Sequence, residues 1–145
     1  RKYKALVHGT LKNMSGEITL KIGRSESDRK KMSTKTRRGK EAVTTWKVIE
    51  HLYNATLIEA KLATGRTHQI RVHFASIGHS VLGDKTYGRK TDIERGKEKI
   101  VFPRQMLHAE LLGFVHPGTG EYMEFISEMP QDMKEKIALL RTQDQ

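Results

Sequence analysis

Six residues between positions 66 and 73 concentrate groups that can do chemistry. Arg66, Thr67, His68, Gln69, Arg71 and His73 supply two guanidinium groups, two imidazoles, an amide and a hydroxyl, with no carboxylate inside the stretch. Planar forks of this kind grip carboxylates and phosphates through paired hydrogen bonds. The pattern therefore reads as a site facing an anionic or carboxylate-bearing partner. A metal site is not expected, because His68 and His73 stand five residues apart, on different sides of a helix, and the glutamate of an H-E-x-x-H pattern is missing. Asp84 is a candidate nucleophile nearby. In the turn Gly83-Asp84-Lys85-Thr86-Tyr87-Gly88, however, an aspartate is expected to cap local backbone amides.

The surrounding elements must aim these groups. A strand ending at Thr64 leads into Gly65, where the chain turns, and Thr67 is the expected cap of a helix running to about Ala75. His68, Arg71 and Ala75 share one helix face, and Ile70, Phe74 and Ile77 share the face that docks on a sheet. Residues 2–11 alternate as a strand carrying Tyr3, Ala5 and Val7 on one side. Glu17–Ile22 is a short strand, and residues 23–39 form a long polar loop. Val43–Tyr53 and Ala55–Ala63 read as neighbouring antiparallel strands with an unbroken period of two, turning at Asn54, with Trp46 in the core. Residues 89–104 look irregular, with a helical turn around Asp92–Lys99. Leu107–Val115 and Tyr122–Ile126 form a hairpin, and Pro130 opens a helix with Met133, Ile137 and Leu140 on its apolar stripe. The order implies an α+β fold, a mostly antiparallel mixed β-sheet with flanking helices, in one unit over residues 1–145.

Charge narrows the partner. The chain carries 27 Lys/Arg against 17 Asp/Glu, a net charge of +10, with no cysteine. Residues 24–40 alone hold eight Lys/Arg against two acids. A polyanion is the expected partner, and aromatic residues are too few for a base-stacking platform, so binding should depend on phosphates and salt. The absence of cysteine suits a reducing cytoplasm, and no apolar run approaches the ~20 residues of a membrane span.

Five ordered motifs carry a family resemblance. Lys2-Tyr3-Lys4-Ala5-Leu6-Val7-His8-Gly9, Arg29-Lys30-Lys31-Met32 followed by Gly39-Lys40-Glu41-Ala42-Val43-Thr44, GRTHQIRVH with GHSVLGDKTYG, Leu107-His108-Ala109 and His116-Pro117 resemble, in order, the signature segments of the RluA/RluD-type RNA pseudouridine synthases. The resemblance spans residues 2 to about 134. It implies an isomerase that detaches uracil from its ribose in RNA and rejoins it through carbon, without cofactor or metal. It also implies a nucleophilic aspartate in an H-R-L-D-x-x-T-S-G motif upstream of the first strand, which this chain does not contain.

By position, the resemblance makes Tyr3 and Arg71 the catalytic residues of this chain: Tyr3 stacks on, or acts as a base near, the target nucleotide, and Arg71 pairs with that aspartate. With the partner missing, Arg71 is expected to hold a solvent anion or a phosphate. Arg29, Lys31, Lys40, Arg66, His68 and Gln69 are the expected RNA-binding residues. Ribosomal RNA is the expected substrate, with transfer RNA as the alternative. A non-catalytic basic RNA-binding module is the alternative reading of the chain, and self-association through an exposed sheet edge is expected of it.

Overall fold

A computed structural model describes residues 1–88 and 90–141. Ten strands and two helices follow one another: β1 (Lys2–His8), β2 (Ser15–Ile18), β3 (Gly23–Arg24), β4 (Met32–Ser33), β5 (Thr44–Leu52), β6 (Ala55–Leu62), α1 (Gln69–Ser76), β7 (Asp92–Arg95), β8 (Glu98–Val101), β9 (Leu107–Val115), β10 (Tyr122–Ile126) and α2 (Gln131–Arg141). Six strands form one sheet in the order β10-β9-β1-β6-β5-β2, and each neighbouring pair is antiparallel. The fold is α+β, with a helix on either side of the sheet.

The two helices explain the buried central strands. Ala5, Val7, Val48, Ile58 and Ala60 pack with Ile70 and Phe74 of α1. Leu6, Leu52 and Leu57 point the other way and pack with Met133, Ile137 and Leu140 of α2. Neighbouring residues of a strand face opposite sides, so β1 and β6 must be apolar on both faces. Strands covered on both faces read as continuous apolar runs instead of alternating ones, and all of Ala55–Ala60 is buried.

Three local expectations change. The alternation along β5 is broken by a β-bulge between Val48 and Glu50. The extra residue, Ile49, is exposed, and the register beyond it flips, sending Val48 to the α1 side and Leu52 to the α2 side. Residues 92–101, read as irregular with a helical turn, form a further hairpin, β7–β8, turning at Gly96; its Ile93 and Ile100 and the following Phe102 are buried against the α2 core. The long loop contains the two-residue pair β3–β4 and is closed by an isolated bridge between Ile22 and Lys40.

Residues 80–84 reach the site because they are stitched to β1. Leu82 N–H donates to the Leu6 carbonyl at 2.8 Å, Met106 N–H to the Leu82 carbonyl at 2.8 Å, and Leu6 N–H to the Met106 carbonyl at 3.0 Å. Gly83 then adopts φ +81°, and a Cβ there would lie 2.0 Å from the Arg104 carbonyl oxygen. Only glycine meets both conditions.

Phe74 joins α1 to the sheet with no exposed surface. Truncation by Phe74→Ala is expected to cost about 3–5 kcal/mol of stability, read as a lowered urea midpoint.

Candidate active-site arginine and basic cleft

The entry to α1 differs from a threonine-capped start. His68 occupies the N-cap position with φ 55° and no side-chain cap, and Thr67 is exposed. The helix entrance is instead secured by Gln69. Its Oε1 accepts the Thr64 hydroxyl at 2.8 Å and Arg66 N–H at 3.0 Å, while Nε2 donates to the Val43 carbonyl at 2.9 Å and to Thr44 Oγ1 at 3.0 Å. Gln69 is 2% exposed and its amide is fully engaged with its own chain. Its expected role in gripping RNA is therefore replaced by an interior one: it joins the helix entrance to β5.

The same chain of bonds defines His73. Nε2 lies 2.7 Å from the Leu20 carbonyl, which can only accept, so Nε2 carries the proton and Nδ1 accepts the Thr44 hydroxyl at 2.8 Å. Burial pushes the His73 pKa down, outweighing the opposing effect of the Leu20 carbonyl. Burial and these two partners suit a neutral imidazole.

Arg71 is not waiting for an anion. Its Nε donates to Asp84 Oδ2 and its Nη2 to Asp84 Oδ1, both at 2.9 Å. The Asp84 side chain is 0% exposed and that of Arg71 is 11% exposed. Asp84 Oδ1 also accepts the backbone N–H groups of Thr86 at 3.0 Å and Tyr87 at 3.1 Å. The expected capping of the turn by Asp84 is thus present, and pairing with Arg71 is added to it. Burial acts to raise the Asp84 pKa, but the Arg71 bonds, the two amides and the positive charge outweigh it and hold the carboxyl below its ordinary value. An enclosed carboxylate with these partners is a poor nucleophile.

Tyr87 completes the cluster. The Arg71 guanidinium lies 5.1 Å from the centroid of its ring, within cation–π range, and the His68 ring meets it edge-on at 5.6 Å. The Tyr87 hydroxyl is 2.8 Å from His68 Nδ1 and accepts Met32 N–H at 3.0 Å. Burial and then the neighbouring Arg71 charge lower the His68 pKa, against the pull of Asp84. A neutral His68 can accept the Tyr87 proton at Nδ1.

Beside the N-terminal end of α1 lies an open cleft of about 790 Å³. Arg24, Arg29, Arg38, Lys40 and Arg66 line it, with Glu26 as its one acidic lining residue. Arg66 is braced by donating Nε–H to the Glu41 carbonyl at 2.8 Å. Arg29, Lys40 and Arg66 thus come together as expected residues of one surface. Lys31 is exposed but does not line the cleft. Tyr3 is half-buried on β1, between Ala60 and Ala109, and packs against the apolar cluster beneath α1. It therefore shares a sheet face with the helix that carries Arg71.

Sequence reasoning missed the Asp84–Arg71 pair, Tyr87, and the individual cleft residues Arg24 and Arg38. The signal available was a carboxylate and an aromatic ring 13 and 16 residues beyond Arg71, inside a glycine-bounded turn. Among the described residues, no group of three or more His, Asp or Glu side chains is placed to hold a metal ion.

Comparison with known proteins defines the class. The profile of the RNA pseudouridylate synthase family matches residues 1–76. An uncharacterized RNA pseudouridine synthase of Bacillus subtilis is 49% identical over 97% of this chain and 44% of its own length. The ribosomal large subunit pseudouridine synthase D of Zymomonas mobilis is 47% identical over 92% of this chain and 43% of its own length. Among solved structures, human RNA pseudouridylate synthase domain containing 1 superposes with a TM-score of 0.71 at 29% identity, covering 98% of this chain and 65% of that one. This chain belongs to the RNA pseudouridylate synthase family, and it spans less than half the length of these two bacterial relatives.

Asp84→Asn removes one partner of a buried ion pair. It should cost about 3–5 kcal/mol at neutral pH. Because folding lowers the Asp84 pKa, the stabilisation is present above the unfolded carboxylate value of about 4 and is lost as pH falls through the lower folded value. Urea unfolding of both proteins from pH 7 to pH 2.5 should show their stabilities converging at the acid end.

Proposed function

We propose that this chain forms the C-terminal part of a catalytic domain that converts uridine to pseudouridine in RNA, with ribosomal large-subunit RNA as substrate. The observation that carries the reading is an arginine held at a set angle next to a cationic cleft. Asp84 takes Nε and Nη2 of Arg71, and Nη1 has no hydrogen-bond partner among the described residues. A second carboxylate, from the aspartate motif that the resemblance places upstream of Lys2, can use that remaining donor. A guanidinium beside a nucleophilic carboxylate keeps it ionised and oriented.

The rest of the surface suits the same task. The cleft cations offer phosphate contacts, which position a strand without reading its sequence. Tyr3, on the same sheet face, is the candidate contact for the target nucleotide once it is flipped out of its helix. Large-subunit RNA is supported by relatives named as ribosomal large subunit pseudouridine synthase D, at up to 47% identity. The reaction takes place in the cytoplasm on this reading, in keeping with a chain that has no cysteine.

The reading also includes self-association of the isolated chain. Along β9–β10, Leu112, Phe114, Val115, Tyr122, Phe125 and Ile126 are exposed, and the Phe114 and Phe125 rings stack at 5.5 Å. Among the described residues, the outer edge of β10 has no partner strand. Apolar surface on an open edge invites pairing with another chain.

Two measurements test these statements. Tritium release from C5 of uridine-labelled ribosomal RNA is expected from a protein that joins this chain to an upstream aspartate segment. RNA binding by the chain alone should weaken with salt, with a log–log slope of roughly −3.5 to −4.5 if about five phosphates are engaged; binding without any release from the longer protein would favour a non-catalytic RNA-binding module. In sedimentation, the chain alone should form concentration-dependent dimers that Ile126→Lys disperses, whereas a monomer at all concentrations would remove the self-association.

A further inference from the structure

Tyr87 touches both halves of the site. The carboxylate that holds Arg71 also accepts the Tyr87 backbone N–H, so one group sets the guanidinium and the turn beneath the ring. The Tyr87 ring lies against the guanidinium at 5.1 Å. Its hydroxyl reaches 55 residues back to take Met32 N–H at 3.0 Å, in the strand β4 of the basic loop. The side chains of Met32 and Tyr87 pack on the same small core, formed by Ile22, Ala42 and Val72.

The loop has few other ties. β3 and β4 pair over two residues each, with the Ile22–Lys40 bridge behind them. A ladder this short is marginal by itself. Yet it presents Arg24 and Arg29 to the cleft, where Arg24 Nη1 also donates to the Arg29 carbonyl at 3.0 Å. The position of these cations therefore depends on contacts that hold the loop to the domain, and the Tyr87 hydroxyl makes one of them.

We propose that Tyr87 is a positioning residue that couples the phosphate-gripping loop to Arg71, so that RNA seated in the cleft adjusts the seat of the arginine. The coupling rests on the pseudouridine synthase reading for its catalytic meaning, but its physical parts are separable. Within the Tyr87 side chain, the hydroxyl makes the hydrogen bonds, to Met32 N–H of the loop and to His68 Nδ1, and the ring lies against the guanidinium that Asp84 holds. Tyr87→Phe removes the first and keeps the second.

The test uses this chain and an RNA hairpin taken from large-subunit ribosomal RNA. Affinity is measured for the wild type, Tyr87→Phe, Arg29→Ala and the double variant, with the Arg71 Nε–H resonance followed in the wild type and in Tyr87→Phe. Loss of the hydroxyl, with its bonds to Met32 N–H and His68 Nδ1, is expected to weaken binding about fivefold in Tyr87→Phe. The penalty of Arg29→Ala should shrink from about fivefold in the wild type to under twofold in Tyr87→Phe, the signature of coupled sites. The Arg71 Nε–H resonance should move on RNA addition in the wild type and stay in place in Tyr87→Phe at saturating RNA, while an unchanged thermal midpoint within a few degrees shows that Tyr87→Phe is folded. Additive penalties, wild-type affinity in Tyr87→Phe, or the same resonance shift in both proteins overturn the coupling. Failure of the longer wild-type protein to release tritium overturns the synthase reading alone, because the binding cycle and the resonance need no turnover.

Discussion

The contact between Arg71 and Asp84 is the constraint on which the arrangement of the site depends. A buried carboxylate needs several donors to remain ionised, and Asp84 has four: two from the guanidinium and two from the backbone of its own turn. The arginine in return loses rotational freedom and keeps one nitrogen, Nη1, without a hydrogen-bond partner among the described residues. An isolated guanidinium on a helix surface would sample many rotamers. Held by Asp84 and resting against Tyr87, Arg71 is confined to one orientation.

That contact is made possible by backbone devices some distance away. Leu82 is threaded between Leu6 and Met106 by backbone hydrogen bonds, and Gly83 makes the turn that no other residue could make against the Arg104 carbonyl. Gln69 closes the opposite side by tying the helix entrance to Val43 and Thr44. His68 is left in a left-handed conformation, which costs a residue with a Cβ about 1–2 kcal/mol; its bond and ring contact with Tyr87 help to offset that cost. Residues in sparsely populated backbone regions cluster where function demands a particular geometry, and His68 follows Thr67 of the cleft and bonds to Tyr87, on which Arg71 rests.

Where local rules govern, the sequence was legible. The β5–β6 hairpin turns at Asn54, which takes φ 48° as a turn asparagine can, and the α2 stripe of Met133, Ile137 and Leu140 is buried as its spacing implies. The bulge at Ile49 was hidden because an inserted residue leaves a run such as Thr-Trp-Lys-Val-Ile-Glu looking regular. The β7–β8 hairpin was hidden by its charges: each strand buries one apolar residue, Ile93 or Ile100, and β7 also buries the charged Arg95. The arginine cluster suggested an anionic or carboxylate-bearing partner. It could not reveal that a turn 13 residues later already supplies one, because that pairing is decided by the threading of Leu82. Nor could the spacing show that Gln69 faces inward, since its position in the first helical turn fits either role.

The most direct test of this account is the side-chain Nε–H signal of Arg71 in the folded chain, followed by proton–nitrogen NMR against pH. A guanidinium held by a buried carboxylate should give a resolved, slowly exchanging resonance at neutral pH. That signal should collapse toward the exposed arginines as pH falls below the ordinary carboxylate range, and should be absent in Asp84→Asn. An Arg71 signal that exchanges as fast as those of exposed arginines at every pH, and is untouched by Asp84→Asn, would contradict an arginine seated on Asp84.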